Sequence, residues 1–150
     1  MKILFIEDHP RKQAQIINYI KSKFQKAEII TRNSYNSGLK ELIFKSEDYN
    51  ILLLDISMPN YDISSEDNGG DWMPLAGKKI LKQMYLRDIS TKAIVVTMHG
   101  SFDDGTRITE LDNQLKDEFS DNYAGYVYYT QINEEWQDKL FVLLNSIRND

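Results

Sequence analysis

Three carboxylates and one hydroxyl stand where apolar runs end. Glu7 and Asp8 follow KILFI (2–6), Asp55 closes NILLLD (50–55), and Thr97 closes KAIVVT (92–97). Acids brought onto one rim repel one another, so at least one pKa rises unless a cation neutralises them. A hard divalent ion held by oxygens is the natural partner, and Mg²⁺ takes one or two carboxylates while keeping water or phosphate oxygens. A carboxylate beside such an ion can act as a nucleophile towards phosphorus and form an aspartyl phosphate. The metal screens and orients the incoming group, and a hydroxyl such as that of Thr97 can bond a phosphoryl oxygen.

These residues share a rim only if the elements between them place them there. Pro10 sits where a first helical turn tolerates it, and Ile16, Ile17, Ile20 and Phe24 keep a helical period. AEIIT (27–31) reads as a second strand, and Leu39, Leu42 and Ile43 mark a helix beginning after NSYNSG. NILLLD has the continuous apolar character of a strand covered on both faces. Ile80, Leu81 and Met84 mark a third helix, KAIVVT a fourth strand, and Ile108, Leu111, Leu115 and Phe119 a fourth helix. GYVYYT (125–130) is the fifth strand. Asn133 can cap a last helix with the stripe Trp136, Leu140, Leu143, Leu144 and Ile147. Such alternation predicts parallel strands joined by right-handed crossovers, with helices on both faces. Ligands in these sheets bind beyond the carboxyl ends of the strands, where Glu7, Asp8, Asp55 and Thr97 fall.

The 150 residues read as one domain, 1–150, with a long polar insertion at about 59–74, bounded by prolines. That insertion is expected to be an irregular loop over or beside the rim. Its acids Asp62, Glu66, Asp67 and Asp71 lack calcium-loop spacing and read as solvated. A second polar stretch, HGSFDDGT, follows Thr97. Cysteine is absent, which excludes disulfides and thiolate chemistry. A net charge of −5 argues against non-specific nucleic-acid binding. No apolar run reaches the ~20 residues needed to cross a bilayer, and no secretory signal opens the chain, so a cytoplasmic protein is expected. His9 and His99 lie near the rim without ligand spacing and are read as surface residues.

FIED after the first strand, LLLDISMP after the third, IVVT at the fourth and GYVYYT at the fifth resemble the receiver domain of bacterial two-component response regulators. The resemblance covers nearly the whole chain, and its most specific piece is DISMP combined with the acidic pair. It implies a flavodoxin-like (βα)5 three-layer sandwich with parallel sheet order 2-1-3-4-5. It implies Asp55 as phosphoacceptor, Asp8 and Asp55 as direct Mg²⁺ ligands, Glu7 acting on the metal through water, and the carbonyl of Ser57 as a further ligand. Thr97 matches the switch hydroxyl and Tyr126 the switch aromatic. The implied partners are a histidine kinase or phosphotransfer protein and a downstream protein target, with no nucleic acid or membrane. No catalysis beyond transfer to the protein's own Asp55 is implied.

One departure bears on the chemistry. The family keeps a lysine at the end of the fifth strand, where this chain has Tyr129. A phenol is neutral near pH 7 and offers one proton, so it cannot cancel a phosphoryl charge. Lys78 and Lys79 sit inside the third helix, and no other lysine is evidently placed to substitute. Mg²⁺ would then be the one full positive charge at the site. On this reading Asp55 is competent but slowly phosphorylated, and Tyr129→Lys accelerates it. The alternative is a phosphorylation-independent pseudo-receiver acting as an interaction module. A Mg²⁺-dependent phosphohydrolase is a lesser reading, because the second residue after its nucleophile would be Ser57. A flavin carrier is compatible with the fold alone, but the acids after the first strand would repel a phosphate.

Overall fold

A computed structural model describes residues 1–148. Seven strands and five α-helices alternate along them: β1 (Lys2–Ile6), α1 (Pro10–Lys23), β2 (Glu28–Arg32), α2 (Tyr35–Lys45), β3 (Ile51–Leu54), β4 (Met58–Pro59), β5 (Trp72–Met73), α3 (Ala76–Leu86), β6 (Lys92–Thr97), α4 (Ile108–Glu118), β7 (Tyr123–Tyr128) and α5 (Glu135–Arg148). Five strands form one parallel sheet in the order β2-β1-β3-β6-β7. Counting only these five, the order is the expected 2-1-3-4-5, and the fold is flavodoxin-like.

Strand alternation splits the core into two layers. Leu4, Ile6, Leu52, Leu54 and Val95 face Leu42, Ile80, Leu81, Met84, Leu111 and Leu115 of α2, α3 and α4. Ile3, Phe5, Ile51, Leu53, Ile94 and Val96 face Ile16 and Ile20 of α1 and Leu140 and Leu144 of α5. All four residues of β3 are buried, which explains its unbroken apolar run: it is central and covered on both faces.

Two helix starts depend on side-chain caps. His9 takes the N-cap of α1 through Nδ1, which accepts from the Lys12 N–H at 3.2 Å. Ser34 caps α2 by accepting from Ser37 N–H at 3.2 Å, so α2 begins at Tyr35, inside NSYNSG rather than after it. Asn133, expected to cap the last helix, lies two residues before the start of α5 and accepts from Glu135 N–H at 3.1 Å.

The insertion after β3 differs from the irregular loop expected of it. β4 and β5 pair antiparallel, and a bridge joins Ile63 to Asn68. Asn60 N–H donates to Asp71 O at 3.0 Å, Tyr61 N–H to Gly69 O at 2.9 Å and Ser64 N–H to Asp67 O at 2.8 Å. The segment is a hairpin-like arm. Its return is made by Gly69 and Gly70 at φ +89° and +66°, a region that glycine enters without Cβ strain, with Asp67 and Asn68 side chains accepting from their amides. The arm's base is docked on α2: Asn36 N–H donates to Asn60 O at 2.9 Å and Ser37 Oγ to Asp62 at 2.8 Å.

Candidate functional site: an acid corner with a buried lysine

The carboxyl ends of β1 and β3 lie side by side, because Ile6 pairs with Leu54 in the parallel ladder. Whatever follows those residues must meet at one corner. Carboxylate oxygens of Glu7, Asp8 and Asp55 lie within 4.8 Å of one another. Glu7 and Asp55 are buried, at 1% and 6% exposure, and Asp8 is half-buried. Gly77 holds the turn after Asp55 from the other side: its N–H donates to Ile56 O at 2.9 Å. A Cβ there would lie 2.6 Å from the Asp55 carbonyl oxygen, so α3 can approach this closely only with glycine at that place.

The corner also holds a cation. Lys12, from the first turn of α1, is fully buried. Its Nζ donates to Glu7 Oε2 at 3.0 Å, to Asp55 Oδ2 at 2.9 Å and to Val96 O at 2.7 Å. An ammonium has three donors, and all three are in use. This corrects the expectation that no other lysine is placed at the corner and that Mg²⁺ would be its one full positive charge. The missed signal lay in the helical period: Lys12 precedes Ile16 by one turn and Ile20 by two, and all three are buried on α1. A lysine on an apolar stripe needs a buried counter-charge.

The titration of the corner follows from this packing. Burial pushes Glu7 up to about 8, assisted by the Asp55 charge, although the adjacent Lys12 draws it down. Burial also raises Asp8, with a contribution from Asp55. For Lys12, burial acts to lower the pKa, but Asp55 and Glu7 override it and hold the ammonium above its usual value. The second oxygen of Asp55, Oδ1, accepts from Ile56 N–H at 2.7 Å. Glu7 Oε1 is buried without a hydrogen-bond partner.

The remaining residues fall around this centre. Thr97 is buried at the end of β6, with Oγ1 accepting from His99 N–H at 3.1 Å; that bond leaves its own proton uncommitted. Ser57 follows the Asp55 turn, and its Oγ donates to Pro74 O at 2.6 Å. Tyr126 on β7 is partly buried against the α2–α4 layer, and Lys139 Nζ lies 3.8 Å from its ring centroid. Tyr129 is buried, but as a packing residue. Its hydroxyl bonds Gln15 of α1, its ring lies 5.2 Å from that of Trp136, and its N–H donates to Thr97 O at 2.8 Å. His9 is exposed, as expected, but also caps α1. The polar stretch after Thr97 is a closed loop, in which Phe102 is buried and a bridge joins Ser101 to Arg107.

Comparison with known proteins places this geometry. No protein-family model matches the chain. It is 31% identical over 144 residues to the Detocs response regulatory protein DtcB of Enterobacter cloacae, covering 93% of this chain and 95% of that protein. Among solved structures it superposes on a response regulator receiver domain from Clostridium thermocellum with TM-score 0.64 at 19% identity, over 99% of this chain and 94% of the other. A similar fold is seen in the response regulator TrrA of Thermotoga maritima in complex with Mg²⁺ and beryllium fluoride, with TM-score 0.60 at 18% identity, over 95% and 97% of the chains. The chain belongs to the response-regulator receiver family.

Proposed function

We propose that this receiver accepts a phosphoryl group on Asp55 in the presence of Mg²⁺, drawing it from a histidine kinase or phosphotransfer protein in the cytoplasm, and signals by protein–protein contact. The observation that carries the reading is the convergence of buried Glu7 and Asp55 with half-buried Asp8, with Glu7 Oε1 left without a partner. An all-oxygen, acidic donor set fits a hard cation. Glu7, Asp8 and Asp55 would hold the ion with the Ser57 carbonyl, and the ion would supply positive charge facing the phosphoryl oxygens. In the transfer, an Asp55 carboxylate oxygen bonds to phosphorus as the P–N bond of a phosphohistidine breaks. The electron pair leaves with the imidazole, which takes up a proton. The Thr97 hydroxyl, with its proton free at the end of the neighbouring strand, would bond the new phosphoryl group. Tyr126 is the aromatic that would follow Thr97 when it moves.

The chemistry beyond this step is sparse. Ser57 commits its hydroxyl to Pro74 O and offers no carboxyl where an aspartate-based phosphohydrolase needs an acid–base group. One observation favours a second reading, the phosphorylation-independent module: Lys12 already bonds both Asp55 and Glu7 and offsets one unit of their charge, so the corner has a cation of its own. Intact mass spectrometry after exposure to acetyl phosphate and Mg²⁺ decides between them. The expected result is one phosphoryl adduct on the parent chain and none on Asp55→Asn. A parent without an adduct leaves the interaction module.

A further inference from the structure

We propose that Lys12 is the ammonium that meets the phosphoryl group on Asp55, and that it is at the same time a resident cation competing with the metal for the acid corner. The inference rests on the phosphoacceptor reading above. In this chain the charge is delivered from the first turn of a helix, whereas the strand-end position nearest the site carries Tyr129.

The geometry supports it in three ways. Lys12 Nζ already touches Asp55 Oδ2, at 2.9 Å, so any group bonded to that carboxylate enters the ammonium's reach. Tyr129 is not available for the task, because its hydroxyl is bound to Gln15, one helical turn beyond Lys12 on α1. Finally, the three donors of Lys12 are saturated by Glu7, Asp55 and Val96. A phosphoryl oxygen can be bonded only if one acceptor is released. The Val96 carbonyl is the one acceptor of the three that can never carry a charge, and hydrogen bonds to charged acceptors are the stronger ones, so with Glu7 ionised it is the one to give way. Val96 immediately precedes Thr97. Exchange of that bond would therefore act on the strand end that carries the hydroxyl, linking the charge on Asp55 to Thr97 through one side chain.

Lys12 also contacts Glu7 and Asp55, two of the carboxylates that would hold a metal. Two cations so close repel, and the cost persists in a buried site. Removing the ammonium should thus help one ligand and hurt the other. Mg²⁺ should bind tighter, while transfer of an anionic phosphoryl group should slow.

The test uses the full chain, with Lys12→Met (similar length, no charge) and Lys12→Gln (donors without charge). Mg²⁺ affinity is read by titration calorimetry and phosphorylation by intact mass against time with acetyl phosphate at saturating Mg²⁺. We expect Mg²⁺ affinity to rise about tenfold and phosphorylation to slow about a hundredfold in both variants. Opposed signs cannot come from partial unfolding, which would weaken both. Phosphorylation at the parent's rate in the variants, or Mg²⁺ affinity that stays level or falls with the rate, would overturn the assignment. A parent that takes no phosphoryl group at all would instead defeat the phosphoacceptor reading.

Discussion

The first turn of α1 and the end of β7 face the same corner, and they have divided its duties unusually. On α1, Lys12 supplies a buried positive charge to two carboxylates and a carbonyl. At the end of β7, Tyr129 supplies volume, a ring packed at a tilt against Trp136 and a bond back to Gln15. Lys12 and Gln15 are one turn apart on a single helix. The helix therefore carries both the charge and the acceptor that holds the phenol in place. The corner has its ammonium from α1 and not from the end of β7.

The largest effect that would break this division is on stability. Removing one partner of a buried, bonded ion pair leaves an uncompensated charge, at a cost of about 3–5 kcal/mol. Lys12→Met without Mg²⁺ should lower the urea midpoint accordingly, and saturating Mg²⁺ should restore much of the loss. An unchanged midpoint would mean that the ammonium contributes nothing to the corner.

The next effect is on pH dependence. The Glu7 carboxyl sits near 4.5 in an unfolded chain and is pushed up to about 8 in the folded one, first by burial and then by Asp55. Between those values the folded state holds a proton that the unfolded state has lost. Stability therefore falls as pH rises through the window, by up to about 1.4 kcal/mol per pH unit from this group. Below 4.5 the contribution is fully present, and above about 8 it is gone. Asp8, also raised, adds to the fall in the same direction near its acid end. Melting curves in metal-free buffer should show this slope, and Glu7→Gln should flatten it. A slope unchanged by that substitution would remove Glu7 from the cause.

The smallest effect sharpens the comparison from the other side. Tyr129→Phe keeps the ring on Trp136 and deletes the bond to Gln15, so it should cost about 1 kcal/mol while leaving the phosphorylation rate of the parent as it is. A marked fall in that rate would return a chemical role to the end of β7. By the same reasoning Tyr129→Lys in the parent background should bring no acceleration, because the place of the ammonium is already taken.

Much of this was legible in the chain. KILFI and KAIVVT coincide with β1 and β6, because buried parallel strands are continuous apolar runs. The acids at the strand ends converge as the alternation of elements required. Lys12 was hidden, because a lysine in PRKQ reads as a solvated first turn until the helix is set against the sheet. Two of its three partners lie 43 and 84 residues away, a separation that local pattern does not encode. The arm at 59–74 was visible as an insertion, but its pairing rests on Gly69 and Gly70 and on Asp67 and Asn68 accepting from their amides, not on alternating apolar residues.

That arm has a mechanical consequence. Its first strand begins at Met58, three residues beyond Asp55, and is buried, while its far end around Ser64–Asp67 is exposed. Between the two, Asn60 is clamped to Asn36 at the start of α2. The layout is that of a lever, with a handle in solvent, a fulcrum on α2 and a short working end in the turn that holds the acid corner. A protein that gripped the handle would pull on the chain within three residues of Asp55 without approaching the carboxylates at all.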